Sequence, residues 1–187
     1  MAGGTALALY LGHRQSDDLD FMTMTASDPA RLMARLQDLD PPITVLDRSD
    51  HRLHVQWQGV KVSYLWQPGV RLEGDKVVDG IPLASLSTLA TLKCHAIGNR
   101  GSRKDFIDLY ALLQDGWSLG QVLKVAGDQA PALNHAHVLR SLTYFADAEH
   151  DPSPRLYRSW AWDDIKHTLT QAVHQHLQQQ LPRGPKL

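Results

Sequence analysis

The hydrophobic period changes near residue 80, and that change confines the chain to a mixed architecture. Upstream, residues 43–46, 53–57 and 60–65 form short runs rich in β-branched and aromatic side chains, the composition of strands. Gln58-Gly59 and Trp66-Gln67-Pro68-Gly69 supply turn signals, so residues 43–78 are expected to form a β-meander. From Pro82 the spacing becomes helical. Leu83, Leu86, Leu89, Ala90 and Ile97 fall on one side of a helix that Gly98-Asn99-Arg100-Gly101 ends. A helix is predicted over 104–113, closed by Gly116. Ser118-Leu119-Gly120-Gln121 reads as a capping box opening another, which ends near Gly127. Further helices are predicted over 136–146 and 162–181, the last with Ile165, Leu169, Val173 and Leu177 four residues apart, and residues 182–187 are expected to fray.

Before the meander, residues 5–11 are strong helix formers stopped by Gly12. Residues 18–24 alternate polar and apolar as a half-buried strand does. Ser27-Asp28-Pro29 reads as the start of a helix over 30–39, which Asp40-Pro41-Pro42 breaks. The expected fold is therefore α+β (α/β mixed): a small mixed β-sheet core in residues 1–80, then a helical half in residues 81–187.

The 187 residues, 43% hydrophobic and 21% charged, are an ordinary globular mix. No apolar run reaches the roughly 18 residues of a membrane helix. The N-terminal residues lack the basic start and apolar core of a secretory signal, so the cytoplasm is the expected compartment. A single cysteine, Cys94, excludes an internal disulfide and a Cys-rich zinc site. Net charge is −1, from 19 Lys+Arg against 20 Asp+Glu, which argues against a uniformly basic nucleic-acid-coating surface. One local stretch departs from that balance: residues 93–104 hold Lys93, Arg100, Arg103 and Lys104 and no acid.

Three groups of residues carry chemistry. Gly3-Gly4-Thr5 stands directly before a predicted helix. Glycines let backbone approach a phosphate, and a helix N-terminus offers free N–H groups; the same residues would also serve as a tight turn. Asp18-Leu19-Asp20 places two carboxylates on one face of a strand, where they either face solvent or share a hard cation such as Mg²⁺. Lys93 precedes Arg100-Gly101-Ser102-Arg103-Lys104-Asp105-Phe106-Ile107-Asp108, in which Asp105 and Asp108 share a helix face. Cations beside carboxylates can clamp phosphate, although ordinary first-turn ion pairs would look the same.

Together, Gly3-Gly4-Thr5-Ala6-Leu7-Ala8-Leu9, Gly12-His13-Arg14, Ser16, Asp18-Leu19-Asp20-Phe21, and Lys93 followed by Arg103-Lys104-Asp105-Phe106-Ile107-Asp108-Leu109 resemble the AbiEii/AbiGii-type nucleotidyltransferase toxin family. This family has the polymerase-β-like nucleotidyltransferase fold, and the likeness spans residues 3–113. It implies that Gly3, Gly4 and Thr5 lie over nucleotide phosphates and that Asp18 and Asp20 hold a catalytic Mg²⁺. It implies that Lys93 contacts the triphosphate and that Asp105 or Asp108 has a catalytic or orienting role. Arg14, Arg100 and Arg103 would be secondary phosphate or nucleic-acid contacts. The implied activity is transfer of NMP from an NTP to an acceptor hydroxyl on RNA, such as tRNA, or on protein. The chain would be the toxin of a toxin–antitoxin pair with a cognate antitoxin.

Two departures from the family are expected to matter. Many nucleotidyltransferases carry a third carboxylate on a later strand, whereas the meander has only Asp47 and Asp50, both expected at a turn. The family also places a helix and a strand before its Gly-Gly motif, where this sequence has only Met1-Ala2, so either a misassigned start codon or a chain truncated relative to the family is expected. The alternative reading is therefore a catalytically silent relative that binds a nucleotide, RNA or a protein. The histidine pairs His51/His54, His135/His137 and His174/His176 have poor ligand spacing. The five tryptophans are expected as core or interface anchors, and Cys94 as a small buried residue.

Overall fold

The computed structural model describes residues 1–25 and 29–180. The expected helix start at Ser27-Asp28 and the tail 182–187 lie outside the described residues. The fold is α+β: a four-stranded mixed sheet and a two-stranded hairpin, with a helical C-terminal half.

Helix α1 (Gly3–Leu11) begins two residues earlier than expected and ends as expected, with Gly12 at φ 55° and its N–H on the Ala8 carbonyl. Strand β1 (Leu19–Thr23) leads to α2 (Pro29–Leu36), which is shorter than predicted. The meander forms as β2 (Thr44–Ser49), β3 (Arg52–Trp57) and β4 (Val60–Trp66). Gln58 and Gly59 turn the chain between β3 and β4, both at positive φ, as a two-residue hairpin loop requires. Strand order is β1-β4-β3-β2. The meander pairs are antiparallel, while β1 joins β4 in parallel. Asp47 lies within β2 and pairs with His54 instead of sitting at a turn.

The helical reading from Pro82 is corrected. Residues 74–84 form a hairpin, β5 (Gly74–Val78) and β6 (Ile81–Ala84), turned by Asp79 and Gly80 at positive φ. Helix α3 (Leu86–Asn99) starts only after Ser85, whose side chain accepts from the Thr88 N–H. Then come α4 (Arg103–Gln114) and α5 (Leu119–Gln129), the latter with the Ser118/Gln121 capping box formed. Helix α5 runs two residues past Gly127. The single helix expected over 136–146 is instead two short ones, α6 (His135–Ser141) and α7 (Ala146–Glu149), and α8 (Trp162–Gln180) follows.

One apolar cluster joins these helices. Ala6 and Leu7 of α1 pack with Leu89, Ala90 and Ile97 of α3, Phe106, Leu109 and Leu112 of α4, Val122, Leu123 and Ala126 of α5, and Ile165, Leu169 and Val173 of α8. Leu177, predicted to extend that stripe, is 46% exposed. The packing presses α1 onto α3 and α4 and brings the N-terminal glycines beside the helical half. Cys94 is buried in the same cluster, where burial pushes its thiol up to about 12.

Candidate active site

The site is assembled where α1, β1, α3 and α4 meet. Ala2 donates its N–H to the Asp20 carbonyl at 2.7 Å, so α1 starts directly against β1. The two glycines are required sterically. A Cβ on Gly3, which lies at φ +70°, would come within 2.0 Å of Asp20 Oδ2; one on Gly4 would come within 2.2 Å of Arg14 Nη2. Thr5 Oγ1 donates to the Asp18 carbonyl and shares a hydrogen bond with Ser16 Oγ at 3.0 Å. The Gly-Gly-Thr segment is thus bound to the same stretch that carries Asp18 and Asp20.

Asp18, just before β1, and Asp20 within it are both half-buried. The field of Arg14 reaches Asp18 and that of Arg100 reaches Asp20. Their donor chemistry fits Mg²⁺: two hard carboxylates i, i+2, of which that of Asp20 packs directly against the Gly3 backbone. Among the described residues no group of three or more His, Cys, Asp or Glu side chains could hold a metal ion. The sheet neighbour of Asp20 on β4 is Ser63, which is buried and lies 2.9 Å from His54 Nδ1 on β3. An uncharged hydroxyl therefore stands beside Asp20. A serine between apolar residues gave no signal of this position; only strand register reveals it.

Behind the carboxylate pair lies a buried charge cluster. Asp108 takes His13 Nε2 at 2.7 Å, Arg14 Nε and Nη2 at 2.6 and 2.9 Å, and Lys93 Nζ at 2.6 Å. Asp105 accepts from Lys93 Nζ at 2.9 Å, Arg100 Nε at 3.0 Å and Ser102 Oγ at 2.7 Å. Burial alone would raise both acids, but the surrounding cations and hydrogen bonds together outweigh it. Lys93, with the Arg100 and Ser102 bonds, holds Asp105 down to about 2. Lys93 with His13 and Arg14 holds Asp108 well below the usual carboxylate range. Burial pushes Lys93 down, and the two aspartates more than reverse it. Lys93 is only 6% exposed, so its ammonium is enclosed between these acids. The Arg100 side chain is 68% exposed and is the cation of the cluster open to solvent.

Arg103 is not brought to this cluster. Its guanidinium turns to the C-terminal half, donating to the carbonyls of Ala148 and Glu149 and to Ser153 Oγ and lying over the Trp162 ring. Sequence reasoning missed two supports. Ser102 holds Asp105; its Ser-x-x-Asp spacing at a helix start was the available signal. The other is a strap near residue 156: Gln15 N–H bonds the Arg155 carbonyl, and Tyr157 N–H bonds that of His13. These bonds fix the peptide that aims His13 and Arg14 at Asp108, and no local pattern announces a pairing so distant in sequence.

Residues 1–73 match the model of the family described as Nucleotidyl transferase AbiEii toxin, Type IV TA system. The uncharacterized protein aq_aa25 of Aquifex aeolicus (strain VF5) is 31% identical over 183 residues, covering 95% of this chain and 87% of that protein. The chain belongs to the AbiEii nucleotidyl transferase toxin family. Among solved structures, JHP933 from Helicobacter pylori aligns with a TM-score of 0.49 and 18% identity, covering 94% of this chain and 83% of that one. The AbiEii match covers the Gly-Gly-Thr segment and the Asp18/Asp20 pair. The buried cluster around Lys93 lies downstream of the matched residues. No helix among the described residues is long and apolar enough to cross a membrane.

Proposed function

We propose that this AbiEii-family chain is a cytoplasmic nucleotidyltransferase that moves NMP from an NTP to a hydroxyl of RNA, such as tRNA, or of protein, and that a cognate antitoxin restrains it. The observation that carries the reading is the close approach of Gly3 to the Asp20 carboxylate, which sets the free N–H groups at the start of α1 beside two acids. Mg²⁺ held by Asp18 and Asp20 would supply Lewis-acid polarisation of the phosphates. The residues divide the remaining work. The N–H groups at the start of α1 bind phosphate oxygens. Arg100, open to solvent, neutralises charge on the triphosphate. Asp105 orients Arg100, and Lys93 keeps Asp105 ionised. Asp108 is a positioning residue that locks His13, Arg14 and Lys93. Arg103 anchors the C-terminal half. The acceptor oxygen forms a bond to the α-phosphorus and loses its proton to a site carboxylate or water. The bond from the α-phosphorus to the bridging oxygen breaks, and pyrophosphate leaves. Positioning and preorganised charge provide most of the acceleration.

A catalytically silent relative is the second reading. The enclosure of Lys93 and the hydroxyl of Ser63 beside Asp20 favour it. Turnover separates the two. Asp18→Ala should lower label transfer from radioactive NTP by at least about a hundredfold while leaving the thermal melt in place. An undiminished transfer rate in that variant would sink the transferase assignment.

A further inference from the structure

A cleft of about 160 Å³ lies at the C-terminal end of α3, against the turn between α6 and α7. Its floor is Ile97 and its rim carries Asn99, Ser141, Tyr144 and Asp147. Among the described residues these four polar side chains make no hydrogen bond or ion pair with the protein. Tyr144 is 58% exposed. His137 Nε2 bonds the carbonyl of Gly98, one of the lining residues, at 2.7 Å. Unpaired polar groups converging on a small cleft can fix the orientation of a bound ligand.

The cleft is joined to the charge cluster by Arg100. Arg100 lines the cleft, and its guanidinium bonds Asp105 at 3.0 Å. Ile97 is one helical turn beyond Lys93, about 6 Å along the axis, so floor and cluster lie along the same side of α3. A ligand reaching from the cleft to Arg100 would run from an aromatic and hydrogen-bonding end to an anion-binding end. That is the layout of a nucleotide.

We propose that this cleft takes the base of the nucleotide, with Tyr144 as its stacking surface and Asp147 as its hydrogen-bond acceptor. The inference rests on the nucleotidyltransferase reading and adds a base preference. An ionised carboxylate only accepts hydrogen bonds. It suits a base that presents amino hydrogens, namely guanine, adenine or cytosine, and disfavours uracil, whose single edge donor, N3–H, is flanked by two carbonyl oxygens of like polarity to the carboxylate.

The test is calorimetric titration of the full chain with ATP, GTP, CTP, UTP and inorganic tripolyphosphate. The wild type should bind UTP most weakly. Tyr144→Ala should weaken all four nucleotides on the order of tenfold and leave tripolyphosphate unchanged. Asp147→Asn should abolish the preference for CTP over UTP, again with tripolyphosphate unaffected. Both side chains are exposed, so both variants should melt as the wild type does. If both variants bind every nucleotide as the wild type does, the base cleft is overturned and the transferase reading stands. If the wild type binds neither nucleotides nor tripolyphosphate, both are overturned.

Discussion

Asp108 collects His13, Arg14 and Lys93 in a space that solvent does not reach, and this concentration of charge dominates the behaviour of single residues here. A buried ion pair is a weak source of net stability, but breaking one is expensive because the surviving charge stays buried. Asp108→Asn leaves Lys93 and Arg14 without their shared counter-ion. It should destabilise the fold by about 3–5 kcal/mol, read as a lower urea midpoint; a loss below about 1 kcal/mol would show that water reaches the cluster. Asp105 has a solvent-facing partner in Arg100 and titrates in an accessible range. Its folded value of about 2 lies below that of a free carboxylate near 4. The stability it contributes, about 2 kcal/mol, is complete above about pH 4 and disappears as pH falls through 2. Urea midpoints between pH 2 and 5 should therefore fall more steeply for the wild type than for Asp105→Asn, and parallel curves would contradict this.

The element scale shows what local sequence can and cannot specify. Gly12 at the end of α1, the Gln58-Gly59 turn and the Ser118/Gln121 capping box are all local devices, and each was legible because its chemistry fits within a few residues. The error at Pro82 has a physical cause. Leucines at 83, 86 and 89 mimic a helical stripe, yet Asp79-Gly80 is a strong hairpin turn, and Pro82 is tolerated in a two-stranded sheet where one strand edge needs no donor. The sequence between 136 and 146 read as one helix, but the chain turns at residues 142–145 and so forms one wall of the cleft. In the site, the Asp18/Asp20 pair and the Asp105/Asp108 face followed from period alone. The neighbour of Asp20 did not, because parallel register between β1 and β4 is set by tertiary packing. That register makes Ser63 informative. Ser63→Asp would put a third carboxylate beside Asp20 and should tighten Mn²⁺ binding, measured by electron paramagnetic resonance, by about tenfold, about 1.4 kcal/mol. Ser63→Asn is the uncharged control, and equal affinities in both variants would refute a cation site at this edge.

Across the whole molecule, two long-range ties hold the site in place. Arg103 fastens the start of α4 to residues 148–153, helped by its own N–H, which bonds Asp151 Oδ2 at 2.8 Å. Arg103→Ala removes the side-chain bonds and should expose this segment first: amide exchange in residues 148–153 should quicken at least about tenfold, as expected for a local opening, while the core of α3 stays protected. Uniform acceleration across the chain would instead mean that Arg103 supports the global fold. The second tie, the strap that bonds His13 and Gln15 through Tyr157 and Arg155, joins positions separated by about 140 residues. Closing so large a loop carries an entropic cost that only late, non-local contacts repay. Timing follows from this: the peptide that orients Arg14 toward Asp108 is synthesised about 140 residues before the segment that holds it in place. A nascent chain of this protein therefore carries Gly3 and Gly4 well before the strap that steadies Arg14 exists, so the two halves of the site mature at different times.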